Sequence, residues 1–207
     1  MNEAKSKLAT VVIAAGNSSR LGQPKQLIEY RGSCLLESTL ERANRVSHHA
    51  VCVLGAQADD IIQQLGLSEE HIVINQEWRI GMGTSIAAGV EYLSNSVNND
   101  SIEAILVLLC DQYLLTDNDL EQLVNHWLSN TNHIVASSYY NTKYQRKILG
   151  APAIFPRQYF NALAELKVEG ARGILNNKEN SVIEVDITNA SIDLDTPEDL
   201  EKLNITS

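Results

Sequence analysis

The most constraining feature of the sequence is a short apolar run that leads directly into a glycine-rich loop with two cations. Residues 8–13 are mostly apolar and rich in β-branched side chains, which is typical of a buried strand. Gly16, Arg20, Gly22 and Lys25 follow it, together with two serines. Glycines let the backbone turn sharply and approach a ligand, while N–H groups and cations neutralise an anion. The stretch therefore predicts a phosphate-binding loop, with a polar turn that carries two cations as the alternative.

Two common nucleotide-binding motifs do not fit this loop. A P-loop has four residues between its glycines, followed at once by Lys and Ser or Thr. Here five residues separate Gly16 from Gly22, and Gln26 follows Lys25. A dinucleotide fingerprint needs a second glycine two residues after the first, and Ser18 occupies that position. Both motifs are excluded.

Composition limits the partners and the location that we expect. The chain has 207 residues, of which 44% are hydrophobic, so we expect residues 1–207 to form a single domain. Its net charge of -10 argues against nucleic acid as a partner. No apolar run approaches the ~20 residues that cross a bilayer, and we see no signal peptide. We therefore expect a cytoplasmic protein without a membrane partner, whose cysteines are reduced and buried: Cys34, Cys52 and Cys110.

Strand-like and helical patterns alternate along the chain, which predicts an α/β three-layer sandwich around a mostly parallel sheet. Besides the first strand, we predict strands at 50–54, 72–74, 104–109 and 134–138. We predict helices at 34–46 (capped by Ser33), 59–65, 85–93 and about 116–128. The segment Tyr139–Leu149 carries three cations and three tyrosines. It is predicted to be a solvated loop, with a lid over an anionic substrate as the alternative.

Carboxylates at two places indicate a cation site. Asp111 follows the apolar run 104–109, and ligands in open α/β sheets bind beyond the carboxyl ends of strands. A carboxylate that only caps the next turn is the alternative. Asp193 and Asp195 alternate in an extended segment, so they lie on one face and repel each other unless a cation separates them. A divalent cation shared with Asp111 would remove that repulsion. The next residues, from Thr196, predict a capping box and a helix start.

The loop resembles the A-A-G-x-S-S-R-x-G-x-x-K motif of the MobA-like nucleotidyltransferases, and the nearest members are the molybdenum cofactor cytidylyltransferases. The resemblance implies a Rossmann-like nucleotidyltransferase fold, also called the nucleotide-diphospho-sugar transferase fold. It implies that Arg20 and Lys25 contact the triphosphate and act in catalysis together with Asp111. It also implies a nucleotide-binding backbone made of Ala14, Ala15, Gly16, Ser18 and Ser19.

Later segments resemble the same family. Residues 75–89 resemble the segment that borders the base and sugar, which implies that Gly83 and Ser85 bind the nucleotide. Residues 150–156 resemble the strand that forms the floor of the acceptor pocket. The resemblance implies that Arg172 meets an acceptor phosphate, with a surface arginine as the equal alternative.

The acidic motifs match the family's metal positions. The family usually has Gln-Pro after the metal-binding Asp, and this chain has Gln112 and Tyr113, which leaves the course of the following loop open. The pattern D-x-D-T-P-E-D at 193–199 is also similar to the family's. It implies Mg²⁺ bound by Asp111 and Asp195, with Asp193 as the further candidate.

The function that the resemblance implies is transfer of CMP from CTP to the terminal phosphate of molybdopterin that carries molybdenum, with release of pyrophosphate. The preference for CTP rests on Ala14-Ala15-Gly16, where guanylyl relatives have Ala-Gly-Gly. The implied partners are the triphosphate, a phosphorylated pterin and a target molybdoenzyme. Three alternatives stay open: a guanylyltransferase that uses GTP, a nucleotidyltransferase with a different phosphorylated acceptor, and a non-catalytic chaperone for a molybdoenzyme.

Overall fold

A seven-stranded sheet organises the chain in the computed structural model, which describes residues 7–95, 101–141 and 145–206. The strands lie in the order β5-β4-β1-β6-β8-β7-β9, and β8 is antiparallel to both neighbours while the other pairings are parallel. The described residues contain nine strands, and β2 and β3 form a separate hairpin. They are β1 Leu8–Ala14, β2 Glu29–Tyr30, β3 Ser33–Cys34, β4 His49–Leu54, β5 Ile72–Ile74, β6 Ala104–Leu109, β7 Ile134–Asn141, β8 Arg146–Pro156 and β9 Val182–Asp186.

Helices cover both faces of this sheet. They are α1 Leu35–Val46, α2 Ala58–Leu65, α3 Met82–Asn95, α4 Asp117–Leu128, α5 Phe160–Ala164, α6 Arg172–Asn176 and α7 Pro197–Thr206. Short 3₁₀ helices span Lys25–Leu27, Glu69–His71, Arg157–Tyr159 and Thr188–Ser191. The predicted three-layer sandwich with a mostly parallel sheet is confirmed. Among the described residues, no helix combines the length and hydrophobicity that crossing a membrane requires.

The central strand β1 is buried on both faces, which explains its almost unbroken apolar sequence. It pairs in parallel with β4 on one side and β6 on the other. Val12 packs in the cluster that includes residues of α1, α2 and α4, whereas Val11 and Ile13 pack in the cluster that includes residues of α3. A smaller third cluster joins Tyr30 and Tyr113 to Leu194, close to the carboxyl end of β6.

Helix starts follow the predicted capping chemistry with one correction. Thr116 and Asp119 form a reciprocal capping box at α4. Thr196 and Asp199 form a second one at α7. The prediction that Ser33 caps α1 is wrong by one residue: Ser33 lies in β3, and Cys34 is the N-cap.

The predicted loop at Tyr139–Leu149 is wrong for most of its length. Tyr139–Asn141 continue β7 and Arg146–Leu149 begin β8, and the two strands pair in register with Tyr139 opposite Ile148. Residues 142–144 lie outside the described part of the chain. Pairing with β8 satisfies the backbone of this polar sequence, and such a long-range partner cannot be read from local composition.

The cysteine prediction holds for two of three residues. Cys52 and Cys110 are buried, whereas Cys34 is only partly buried, and all three are free thiols.

Candidate active site

The glycine-rich loop after β1 is fastened to the 3₁₀ helix that carries Lys25. The Gln26 side chain is buried, and its Nε2 donates hydrogen bonds to the carbonyl oxygens of Ala14 at 2.5 Å and Gly16 at 3.2 Å. The backbone N–H of Lys25 donates to Ser18 Oγ at 3.0 Å. These bonds hold Lys25 in front of the carboxyl end of β1.

Lys25 joins two of the predicted metal ligands. Its Nζ donates to Asp111 Oδ2 at 2.7 Å and to Asp195 Oδ1 at 2.9 Å. Burial disfavours the charged ammonium, but the attraction and hydrogen bonds of Asp111 and then Asp195 outweigh burial, so the pKa of Lys25 is raised above its usual range. The side chain is therefore a fixed positive charge at any physiological pH.

The acidic segment near the C-terminus is docked against the end of β6. The backbone N–H of Leu194 donates to the carbonyl oxygen of Asp111 at 3.1 Å, and the Leu194 side chain is buried in the third cluster. Asp193 and Asp195 flank this anchor and both line the cavity that Asp111 lines. Although Asp193 is exposed at the surface, desolvation by its surroundings and then the charges of Asp111 and Asp195 raise its pKa to about 7.

The carboxylate oxygens at this site are of the type that binds hard cations, but they do not form a complete metal site. Asp111 Oδ1 is buried and has no hydrogen-bond partner in the described structure, while Oδ2 already contacts a cation. Carboxylate oxygens are the ligands that Mg²⁺ and Mn²⁺ take in proteins. Within residues 7–95, 101–141 and 145–206, however, no three His, Cys, Asp or Glu side chains form a group placed to hold a metal. The metal role of the three aspartates stays a prediction.

Residues of the loop line two cavities. The first has a volume of about 410 Å³ and is lined at its charged end by Lys25, Asp111, Asp193, Asp195 and Arg172. The second has a volume of about 530 Å³ and is lined by loop residues, by residues 55–57 and by Trp78 and Arg79. The Arg79 guanidinium lies 4.4 Å from the centre of the Trp78 ring.

The predicted nucleotide-binding residues divide between these cavities. Ala14, Ala15, Gly16 and Lys25 line the first, whereas Ser18 and Ser19 line the second. Arg20 is exposed and lines neither. Their contacts with a nucleotide stay predictions.

Gly83 and Ser85 lie behind the wall of the first cavity. The Ser85 side chain is buried and accepts a hydrogen bond from Asn75 Nδ2 at 2.9 Å. A Cβ atom on Gly83 would lie 2.4 Å from the carbonyl oxygen of Glu169, so α3 approaches residues 167–169 closely here. In the structure both residues fix the start of α3, and their predicted nucleotide contact stays a prediction.

Arg172 lies at the charged end together with a tyrosine that the sequence did not reveal. The buried Tyr139 side chain lies in the first cavity, where a Cβ atom on Gly150 would be 3.0 Å from its hydroxyl oxygen. Burial and then the charge of Asp193 raise the pKa of Tyr139, and the nearby Arg172, which hydrogen-bonds the hydroxyl group, opposes this shift. Tyr139 was missed because its segment was predicted to be a loop.

The course of the loop after Asp111 is set by the next two residues. Gln112 Nε2 donates to the carbonyl oxygens of Ala151 at 2.9 Å and Ala190 at 2.8 Å. Tyr113 packs edge-on against Tyr30 with ring centres 5.2 Å apart. The tyrosine that replaces the family's proline thus fills the third cluster beside the site.

Comparison with known protein families identifies the family of this chain. Residues 10–182 match the MobA-like NTP transferase domain. The chain belongs to this family. It is also 32% identical over 201 residues to the nicotine blue oxidoreductase of Paenarthrobacter nicotinovorans, a match that covers 93% of this chain and 94% of that protein.

Solved structures agree with this fold. The Rv0371c homologue from Mycobacterium sp. strain JC1 is 26% identical with a TM-score of 0.76, covering 98% of this chain and 97% of that one. Rv0371c of Mycobacterium tuberculosis, in a complex with manganese, is 21% identical with a TM-score of 0.74, covering 97% of this chain and 100% of that one. The predicted nucleotidyltransferase fold and the family resemblance are both confirmed.

Proposed function

We propose that this MobA-like protein transfers a nucleotidyl group from a nucleoside triphosphate to a phosphorylated acceptor and releases pyrophosphate, with the help of a divalent metal ion. The observation that carries the proposal is the bridge of Lys25 to Asp111 and Asp195 beside a glycine-rich loop. This arrangement brings one fixed cation and two carboxylates to the place where a triphosphate and a metal would meet.

The chemistry requires charge control more than proton transfer. A phosphate acceptor is already anionic at neutral pH, so attack on the triphosphate needs no general base, and the main obstacle is repulsion between two anions. Lys25 offsets charge on the triphosphate, and Arg172 offsets charge on the acceptor at the same end of the cavity. Asp111 and Asp195 would hold Mg²⁺ or Mn²⁺, which supplies neutralisation of phosphate oxygens when bound. The manganese complex of one structural neighbour agrees with this type of metal.

The finer form of the proposal is transfer of CMP from CTP to molybdopterin that carries molybdenum. Its support is the resemblance of the loop, with Ala14-Ala15-Gly16 favouring CTP over GTP, and of the acceptor strand at 150–156. Both segments line the first cavity, in part. A target molybdoenzyme would then receive the product.

Pyrophosphate release tests the reaction. The protein is incubated with CTP, GTP, ATP or UTP, with Mg²⁺ or Mn²⁺, and with molybdopterin that carries molybdenum. We expect release with CTP that depends on metal and acceptor, and its loss in Asp111→Asn. Release with GTP alone would replace CMP by GMP in the proposal, and full activity of Asp111→Asn would remove Asp111 from the metal site.

A thermal-unfolding panel tests nucleotide binding without an acceptor. A ligand at 100 times its dissociation constant adds about 2.7 kcal/mol to the free energy of unfolding. We expect CTP with Mg²⁺ to give the largest stabilisation of the four nucleotides. No stabilisation by any triphosphate would contradict the proposal.

One second candidate has its own observation. The nicotine blue oxidoreductase matches this chain over nearly its full length, so an oxidoreductase of the same fold is the competing function. Reduction or oxidation of nicotine blue by the protein, together with no pyrophosphate release, would favour it. The Lys25, Asp111 and Asp195 arrangement favours phosphate chemistry instead.

A further inference from the structure

The second cavity has a composition that suits an anion. Its lining includes loop residues 17–19, residues 55–57, Trp78 and Arg79, and several of these are exposed, so the cavity is open to solvent. Among the described residues that line it, Arg79 has the single charged side chain, and no carboxylate is present. In a chain of net charge -10, a cavity that combines an arginine with the absence of carboxylates favours an anionic ligand.

The Trp78 ring supports Arg79 in this cavity. The guanidinium lies 4.4 Å from the ring centre, which is the distance of a cation–π contact. The ring is fixed at its root, because a Cβ atom on Gly55 would lie 2.7 Å from Cβ and Cγ of Trp78. Within the described part of the chain, Arg79 forms no salt bridge. Stacking occupies the face of a guanidinium, so the N–H groups at its edge can bind an anion.

Hydrogen bonds hold the turn that carries these two residues into α3. Asn75 Nδ2 donates to Thr84 Oγ1 at 2.9 Å and to Ser85 Oγ at 2.9 Å. Thr84 Oγ1 donates to the carbonyl oxygen of Gly81 at 2.8 Å, and Asn75 Oδ1 accepts the backbone N–H of Glu77 at 2.9 Å. The backbone of the turn is therefore fixed before a ligand binds, which lowers the entropy cost of binding.

The glycine-rich loop joins the second cavity to the charged end of the first. Ser18 lines the second cavity, and its Oγ accepts the backbone N–H of Lys25, which lines the first. A triphosphate whose α-phosphate lies at Lys25 and Asp111 can therefore extend its terminal phosphates along the loop into the second cavity. Arg20, the other cation of the loop, lines neither cavity.

We propose that Arg79, supported by Trp78, binds the terminal phosphates of the triphosphate and the pyrophosphate that leaves. This inference rests on the proposed nucleotidyl transfer and adds a cation from outside the glycine-rich loop. An oxygen of the acceptor phosphate forms a bond to the α-phosphorus, and the bond from the α-phosphorus to the oxygen that bridges to the β-phosphate breaks. The electron pair of that bond leaves with pyrophosphate, whose charge Arg79 offsets.

Pyrophosphate alone is the direct probe of this site. Calorimetry with Mg²⁺ should show that Arg79→Gln binds pyrophosphate about ten-fold more weakly than the wild type, the effect of losing a charge-assisted hydrogen bond. The matched control is Arg31→Gln, because Arg31 is also exposed and lies 5.0 Å from the centre of the Tyr30 ring but lines neither cavity. It should bind like the wild type. Equal affinity in the wild type and Arg79→Gln overturns the inference, as does the absence of pyrophosphate binding by the wild type.

Tryptophan fluorescence locates the bound anion. The chain has two tryptophans, so Trp127→Phe leaves Trp78 as the one emitter. In this background pyrophosphate should change the emission, and Arg79→Gln should remove the change. If Trp127→Phe does not fold, the same difference is measured in the wild type, where Trp127 is fully buried. Pyrophosphate binding that leaves the emission of Trp78 unchanged overturns the inference.

Variants of Trp78 test its supporting role. Trp78→Phe keeps a ring with the same Cβ and Cγ atoms against Gly55 and should retain most of the affinity for pyrophosphate. Trp78→Leu removes the ring and should weaken binding about three-fold, the scale of an exposed cation–π contact. Equal affinity of the two variants would exclude Trp78 from the support of Arg79.

Failure of the proposed function has a different result. It would appear as no pyrophosphate release from any triphosphate, in the wild type as in Arg79→Gln. Failure of the inference alone leaves pyrophosphate release intact and gives Arg79→Gln the pyrophosphate affinity of the wild type.

Discussion

At the scale of single residues, removing the charge of Lys25 should have two opposite effects, a lower turnover and a higher affinity for metal. Its ammonium contacts the same two carboxylates that would hold a metal ion. Lys25→Met keeps the apolar stem and removes the charge, so turnover should fall by roughly 10²-fold, the effect of losing one group that stabilises the transition state. The affinity for Mn²⁺ should rise, because the ammonium no longer competes for Asp111 and Asp195.

Pyrophosphate release and an electron paramagnetic resonance titration with Mn²⁺ measure the two effects of Lys25→Met. Lys178→Met, at an exposed lysine, is the matched control and should change neither. Wild-type turnover in Lys25→Met would exclude the lysine from the mechanism. A weaker affinity for Mn²⁺ would show that lysine and metal do not share ligands.

The three thiols should differ in reactivity, because only the thiolate reacts. Burial raises the pKa of Cys52 to about 12 and raises the pKa of Cys110 well above its usual range. Burial and then the charge of Glu37 also raise the pKa of Cys34, but only this thiol is partly exposed. A maleimide added to the native protein should therefore modify only Cys34, which mass spectrometry detects as a single adduct. Three adducts should appear after unfolding in urea. Early modification of Cys52 or Cys110 would mean that the sheet opens more readily than the structure implies.

At the scale of elements, the close approach of α3 to residues 167–169 depends on glycine. A Cβ atom at position 83 would lie 2.4 Å from the Glu169 carbonyl oxygen, which is backbone and cannot turn aside. We expect Gly83→Ala to lower the free energy of unfolding by about 1–3 kcal/mol through overpacking. Gly173→Ala in α6 meets nothing within 4 Å and is the control, neutral or slightly stabilising. Urea unfolding measures both, and equal stability of the two variants would contradict the predicted clash.

The elements also show what the sequence could and could not predict. Strands β1 and β6 were correctly predicted because burial on both faces leaves an apolar run, and the capping box at Thr196 was correctly predicted because capping is local. The extension of β7 into Tyr139 was missed because its partner strand supplies the pairing. The role of Gln26 was also missed because its partners are distant along the chain: its side chain donates hydrogen bonds to carbonyl oxygens ten and twelve residues away.

The site was predicted in part by the same logic. Lys25 lies 86 residues from Asp111 and 170 residues from Asp195 along the chain. Lys25 and Asp111 meet because they follow β1 and β6, which are parallel neighbours in the sheet, and the bond from Leu194 to the carbonyl oxygen of Asp111 brings Asp195 to them. The sequence identified these residue types and the strand end before Asp111. It did not reveal that the lysine itself bridges the two carboxylates, because that depends on side-chain packing around Gln26 and Leu194.

At the scale of the whole molecule, the acidic site should link stability to pH and to metal. The pKa of Asp193 is raised from 3.8 to about 7, so the folded chain holds this proton more tightly than the unfolded chain does. Between pH 4 and pH 7 the folded state thus binds more protons, and this group lowers the free energy of unfolding as pH rises. Asp193→Asn should remove that decrease, so the variant should gain stability relative to the wild type between pH 5 and pH 8.

Metal should reverse the trend, because a cation needs the deprotonated carboxylate. Mn²⁺ should raise the melting temperature of the wild type more at pH 8 than at pH 6, and this difference should shrink in Asp193→Asn. Exposed Asp59→Asn, on α2, controls for the loss of one negative charge from a chain of net charge -10. If the metal effect were equal at both pH values in the wild type, Asp193 would not take part in metal binding, and Asp111 and Asp195 would remain as the pair to test.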